Sequence, residues 1–181
     1  MNKLVNFALF QLGWFASVLL GSGPYHWLGP LVVAGILLVH LRGSPDREAE
    51  QRLVGYALVI GLAWENLLTL GGLVVYPSGQ PFDLLAPLWI LAMWPLLAIT
   101  LNVSLRWLKG LPLAAVIFGA VGGPLAFLAG ERLDAVVFPD TGLAMAALAA
   151  GWAVLFPALT WLAGRHDGFR VDLRKPAEAL S

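Results

Sequence analysis

The chain has 181 residues, of which 59% are hydrophobic and only 12% are charged. Soluble domains carry about a quarter charged residues, so the composition excludes a water-soluble globule, a nucleic-acid binder and a disordered chain, and indicates a membrane protein. The 11 basic and 11 acidic residues balance, and no cysteine is present. The balanced charge gives no electrostatic argument for a charged partner. The absence of cysteine excludes a disulfide and a cysteine-based site.

Six apolar segments meet or approach the roughly 20 residues that a helix needs to cross a membrane. They run from Leu4 to Gly21, Tyr25 to Leu41, Leu53 to Tyr76, Leu84 to Leu105, Leu111 to Gly130 and Leu143 to Ala163. The second is the weakest, because its apolar core is short, and a re-entrant segment is the alternative there. We predict an all-α bundle of six transmembrane helices in residues 1–163, followed by a short cytoplasmic tail in residues 164–181.

The basic residues predict the orientation of the bundle. With six crossings, all of them except Arg132 fall on one side of the membrane. The positive-inside rule assigns that side to the cytoplasm. Both termini are therefore expected to be cytoplasmic.

Glu65 is the ionisable residue that the sequence places deepest in the membrane. It lies near the centre of the third segment, and ionisable groups at this depth are functional candidates by default. At helical spacing, Ala57, Gly61, Glu65, Thr69 and Gly72 form one stripe of small and polar side chains. Small residues let another helix approach closely, so we predict that Glu65 faces the bundle interior, where the neutral form is expected at pH 7.

Two kinds of role remain open for Glu65. It could act as a general acid or base on a substrate held in the bundle, or carry a proton across it. The structural alternative is a protonated carboxyl group that hydrogen-bonds to Gln11 or Asn66 and holds helices together. We take Glu65 as the candidate catalytic residue.

Further candidates are the polar residues of the first and fourth segments. Gln11 is expected at about the depth of Glu65, whereas Asn6 and Asn102 are expected nearer the cytoplasm. Arg106 continues the helix face of Asn102, so the two could hold an anionic headgroup, although an arginine at a helix end also snorkels to the interface.

Tryptophans complete the candidate site. Trp14 and Trp94 lie deep enough to line a pocket for an apolar ligand. The predicted substrate-binding set is therefore Gln11, Asn6, Asn66, Asn102, Trp14, Trp94 and Arg106.

Nothing in the sequence predicts a metal or a cofactor. The three histidines, His26, His40 and His166, are scattered, so no pair has ligand spacing on one helix. Nucleotide-binding loops and nucleophile elbows are absent as well.

Several motifs together carry a family resemblance. They are Pro87-x-Trp89 with Trp94, Thr100-Leu101-Asn102-x-Ser104-Leu105-x-Trp107, Gly119-Ala120-Val121-Gly122-Gly123-Pro124-Leu125-Ala126, and the opening Asn6, Gln11 and Trp14. Over most of residues 4–163 the chain resembles a bacterial inner-membrane family of uncharacterised proteins, the domain of unknown function 2878.

The resemblance carries expectations about location and chemistry. Family members tend to be associated with membrane fatty-acid modification, which implies lipid metabolism in a bacterial inner membrane. Glu65 stands four residues after Gly61 where an aspartate is usual in the family. Val103 stands where the family often has a histidine, so the resemblance does not support histidine-dependent chemistry here.

We therefore expect a protein that binds or modifies a lipid-like, fatty-acyl substrate at Glu65, with membrane lipid as its surroundings. The alternatives are a small proton-coupled transporter and a non-catalytic accessory subunit. A membrane-protein partner or a homo-oligomer is compatible with each of the three. A lipid enzyme requires a lateral gap between helices at the depth of Glu65. A transporter requires openings towards both sides of the membrane, and an accessory subunit requires neither.

Overall fold

The computed structural model describes residues 2–82 and 85–170. This part of the chain is all-α, as predicted, apart from one isolated antiparallel bridge between Val75 and Val137. Its helices are α1 (Lys3–Gly21), α2 (Leu28–Arg42), α3 (Arg47–Leu70), α4 (Leu88–Leu101), α5 (Pro112–Arg132) and α6 (Thr141–Arg165), with a short 3-10 helix at Arg106–Leu108. Residues 171–181 of the predicted tail and the predicted start of the fourth segment at Leu84 lie outside the described residues.

Four of these helices are long and apolar enough to cross a membrane: α1, α3, α5 and α6. The other two, α2 and α4, have 15 and 14 residues. At a rise of 1.5 Å per residue each measures roughly 22 Å, less than the roughly 30 Å of a hydrocarbon core. The chain is a helical membrane protein.

Helix α4 forms the centre of the bundle. It packs against α1, α2 and α3, and more narrowly against α6. Most of its residues are buried, which explains why its sequence is apolar on every face. Helix α1 otherwise packs on α2, whereas α5 packs mainly on α6. Helices α1 and α5 therefore face each other without being closely packed, and a cleft remains between them.

Two predicted segments are shorter as helices than expected. The third ends at Leu70 and not at Tyr76, because Gly71 caps the helix and Gly72 has a φ of 66°, a left-handed conformation that favours glycine. Glu65 therefore lies five residues from the end of α3 and not near the centre of the span. The fourth segment is helical only from Leu88 to Leu101, because the chain turns between Asn102 and Leu105.

The two ends of the bundle are named here by one residue each. The His40 end holds the last turns of α2, α4 and α6 and the first turns of α1, α3 and α5. The opposite Tyr76 end holds the connection between α3 and α4 and the connection between α5 and α6, which the bridge from Val75 to Val137 joins.

Candidate functional site

A groove of about 390 Å³ lies between α1 and α5, with α4 and α6 behind it. Its walls are mostly aromatic and aliphatic, and Glu65 is the residue that α3 contributes. The lining runs from Phe7 and Ser104 at the His40 end to Gly130 at the Tyr76 end. Between Phe118 and Gly130 helix α5 rises about 18 Å, so the groove follows most of the length of the bundle.

The groove opens sideways. Phe7 and Phe118 line it from α1 and α5, and they are 51% and 40% exposed. Gln11 and Trp14 on α1 are half-buried. The opening therefore faces the surface that lipid covers when α1 and α5 cross a membrane.

The Glu65 carboxyl group lies fully buried at this groove and is held by two donors. The Tyr76 hydroxyl donates a hydrogen bond to Oε2 at 2.8 Å, and the Trp94 indole N–H donates one to Oε1 at 3.0 Å. Each carboxyl oxygen can accept more than one hydrogen bond. The group is therefore fixed in place and keeps hydrogen-bonding capacity for a ligand.

Glycines fix the ring that reaches Glu65. A Cβ at Gly61 would lie 2.2 Å from Cγ of Trp94, so the absence of a side chain one turn before Glu65 makes room for the indole. Trp94 stacks on Trp152, with ring centroids 4.9 Å apart. Trp152 in turn fits against Gly123, where a Cβ would lie 2.3 Å from Cγ of the ring. Gly61 of the α3 stripe thus accommodates a ring and not the backbone of another helix.

Tyr76 was not among the residues predicted for the site. It is buried, lies edge-on to Trp89 with ring centroids 5.6 Å apart, and comes from the connection after α3. The pair Gly71-Gly72 was the available signal, because glycines at this point allow the chain to turn back towards Glu65.

The structure brings three of the predicted binding residues to Glu65. Gln11, Trp14 and Trp94 line the same groove. The structural alternative, in which Glu65 hydrogen-bonds to Gln11 or Asn66, is wrong, because its partners are Tyr76 and Trp94.

The other predicted amides, Asn6, Asn66 and Asn102, do not line the groove, so the predicted substrate-binding set does not form one site around Glu65. The Asn66 side chain accepts a hydrogen bond from Ala86 N at 2.9 Å and thereby anchors the approach to α4. Asn6 donates to the Ile99 carbonyl at 3.1 Å and accepts from Ser104 Oγ at 2.6 Å, so it joins α1 to the end of α4.

Asn102 belongs to a second polar cluster, which is centred on Glu50 at the His40 end. His40 and Glu50 are fully buried, with His40 Nε2 2.8 Å from Glu50 Oε2. Asn102 Nδ2 and Gly168 N donate to Glu50 Oε1 at 2.5 and 3.0 Å. The cluster joins α2, α3, the end of α4 and the chain after α6.

Residues 166–170, named here the C-terminal latch, close over this cluster. Asp167 forms a two-pronged ion pair with Arg106, with distances of 2.6 and 3.1 Å, and lies 3.0 Å from Lys109 Nζ. Burial lowers the pKa of Lys109 from its usual value, although the neighbouring Asp167 opposes that shift. The Gly168 carbonyl accepts hydrogen bonds from Ser44 Oγ and Asp46 N, each at 3.1 Å.

Arg106 and Asn102, the pair predicted to hold an anionic headgroup, therefore both contact protein groups. Arg106 pairs with Asp167 and also donates to the Asn102 carbonyl at 2.9 Å. Headgroup binding by Arg106 stays a prediction.

The long apolar helices, the laterally open groove and the carboxyl group buried behind it define a helical membrane protein with an apolar groove between its helices. The chain belongs to the family described as "Protein of unknown function (DUF2878)", whose family model matches residues 3–158. The resemblance drawn from the sequence motifs is thereby confirmed. No curated protein and no solved structure matches the chain.

Proposed function

We propose that the protein binds a lipid-like molecule with a long apolar chain in the groove and modifies it, with Glu65 as the general acid or base. The observation that carries this proposal is a laterally open, predominantly apolar groove with one ionisable side chain along the described part of its lining. A lipid chain can enter between α1 and α5 without leaving the membrane. Glu65 then meets the chain in a site from which the aromatic walls exclude water.

The groove also suggests where the polar end of the ligand lies. Leu105 lines it at the His40 end, and Arg106 follows directly with its side chain 36% exposed. A guanidinium group can serve two anions, because it has five donors. Arg106 therefore holds an acidic headgroup while it keeps its bond to Asp167.

The proposed membrane orientation agrees with this placement. The bundle crosses six times in the bacterial inner membrane, with both termini and the His40 end in the cytoplasm. The described basic residues support this orientation, because those at the His40 end outnumber the single Arg132 near the Tyr76 end. The shorter α2 and α4 are extended by the turns that flank them.

Each residue at the carboxyl group has a separate role in the proposed reaction. Glu65 transfers the proton, since proton transfer by a positioned side chain needs direct reach of the reacting atom. Tyr76 and Trp94 are positioning residues, because their hydrogen bonds hold the carboxyl group in one orientation.

A pair of glycine substitutions tests whether the groove holds the chain. Gly122 lines the groove, and a Cβ there would meet only Phe118 ring atoms at 3.9 Å, so Gly122→Leu fills the groove without a clash at Cβ. Gly55 lies on an exposed face of α3 away from the groove lining, with nothing within 4 Å of a Cβ, so Gly55→Leu is the matched control.

Bound lipid is measured by native mass spectrometry and by extraction from the purified proteins. We expect Gly122→Leu to lose roughly fivefold to a hundredfold of the bound single-chain lipid, since extra methylene groups in a packed site cost about 1–3 kcal/mol. Gly55→Leu is expected to keep the wild-type amount. Equal lipid content in both variants would overturn the proposal.

A further inference from the structure

The groove has few polar side chains, and these differ in whether hydrogen bonds within the protein already use their donors. Besides the tryptophans, the polar residues that line its described part are Gln11, Glu65, Thr100 and Ser104. Thr100 Oγ1 donates to the Leu97 carbonyl at 2.6 Å, and Ser104 Oγ donates to Asn6 Oδ1 at 2.6 Å. Their hydroxyl hydrogens are thus already used, which leaves Gln11 and Glu65 as the non-aromatic polar side chains that can meet a ligand.

Gln11 has unused hydrogen-bonding capacity. Its side chain is half-buried on the α1 wall and makes no hydrogen bond to another residue in the part of the chain that the structure describes. A primary amide has two N–H donors and a carbonyl acceptor. Covering these groups with a plain hydrocarbon chain would remove their water without replacing it, which is unfavourable.

Glu65 meets the groove at an internal point. Its partner Trp94 lies five residues after Trp89 and ten before Ser104, and both of these residues line the groove. At 1.5 Å per residue, Trp94 is about 8 Å along α4 from Trp89. Beyond this point the lining continues with apolar residues such as Val18 and Phe127. A chain that fills the groove therefore extends past Glu65 in both directions.

We infer that the bound lipid carries an oxygen function, a hydroxyl or a keto group, inside its apolar chain, and that this oxygen lies at Glu65 with Gln11 as a second partner. A hydroxyl can donate to an ionised carboxylate and can accept from a protonated one, while a keto oxygen can accept from the Gln11 amide. An unmodified alkyl chain would leave the Gln11 amide without a partner and would not use the hydrogen-bonding capacity that Glu65 keeps beside Tyr76 and Trp94. This inference rests on the proposed function and specifies its ligand class.

Competition binding tests the inference on the purified full-length protein in nanodiscs of phosphatidylglycerol and phosphatidylcholine. The probe is tritiated stearic acid, and the competitors are stearic acid, a hydroxystearic acid with its hydroxyl well inside the chain, and one with the hydroxyl next to the carboxyl group. Phospholipids that carry the same internal hydroxyl are tested as further competitors. Their competition, compared with that of the free acid, tells whether the bound chain belongs to a free fatty acid or to a phospholipid. Gln11→Leu is measured beside the wild type, and Gly55→Leu is the control.

We expect the internal hydroxyl compound to compete about tenfold better than stearic acid, as one hydrogen bond to a charged or desolvated group gives. That preference should fall severalfold in Gln11→Leu and persist in Gly55→Leu. Equal competition by all three acids would overturn the inference and leave the proposed function standing. No saturable binding of stearic acid would overturn both. Glu65→Leu is a second variant, and a preference that survives in folded Glu65→Leu and in Gln11→Leu would also overturn the inference.

Discussion

Removal of the Glu50 carboxylate should destabilise the fold strongly, because this group joins four parts of the chain. Glu50→Ala removes three hydrogen-bond partners, those of His40 Nε2, Asn102 Nδ2 and Gly168 N at 2.8, 2.5 and 3.0 Å. Each unsatisfied buried donor costs about 1–3 kcal/mol. Since Asn102 Nδ2 keeps its bond to the His166 carbonyl at 2.8 Å, two buried groups are left without a partner, and we expect a loss of about 2–6 kcal/mol in total.

Glu48→Ala is the matched control on the same helix turn. The Glu48 side chain is 72% exposed and, among the residues that the structure describes, pairs only with Arg52. Exposed pairs of this kind contribute about 0–1 kcal/mol. The assay is reversible unfolding of both variants in mixed micelles of increasing sodium dodecyl sulfate fraction, with proteolysis after Arg165 as a local readout of the C-terminal latch. Equal unfolding midpoints and equal cleavage for Glu48→Ala and Glu50→Ala would refute the reasoning.

Three further outcomes are expected. Gly61→Ala should lower the free energy of unfolding by about 1–3 kcal/mol, because its Cβ would displace Trp94. Its control Gly35→Ala, with nothing within 4 Å of a Cβ, should raise it by up to about 1 kcal/mol. Changes of the same sign in the micelle assay would count against the ring packing. Folding lowers the pKa of Lys109 from 10.5, so just below pH 10.5 the unfolded chain binds more protons than the folded one. The free energy of unfolding should therefore rise with pH in this interval, and Lys109→Met should flatten that rise relative to wild type. A deletion strain and its Glu65→Gln complement should share an altered lipid extract, and unchanged lipids in both would contradict the modification step.

Helix number and the burial of Glu65 could be predicted from the sequence, because both follow from local patterns. Apolar length predicts helices in a membrane, and the spacing of Ala57, Gly61 and Glu65 predicts a common buried face. The structure keeps all three residues buried. Continuing the same stripe towards the start of α3 leads to Glu50, so helical periodicity held a signal for the second carboxyl group as well.

The partners of these carboxyl groups could not be predicted in the same way. Tyr76 reaches Glu65 only because the chain reverses at Gly72, and Gly168 reaches Glu50 across 118 residues of sequence. Such contacts depend on how the helices pack. The pair Gly71-Gly72 indicates that the chain can turn after α3, but it does not indicate which side chain then reaches Glu65. The groove has the same origin, since it exists because α5 packs on α6 and leaves α1 free on that side.

The central claim is that an apolar chain lies between α1 and α5 with Glu65 beside it. The most direct test is a crystal structure grown in a lipidic mesophase with stearic acid brominated inside the chain, in which anomalous scattering locates the bromine. We predict a bromine peak in the groove, in contact with Trp94 and close to the Glu65 carboxyl group. A groove without bromine, with the peaks confined to the outer faces of the helices, would contradict the account.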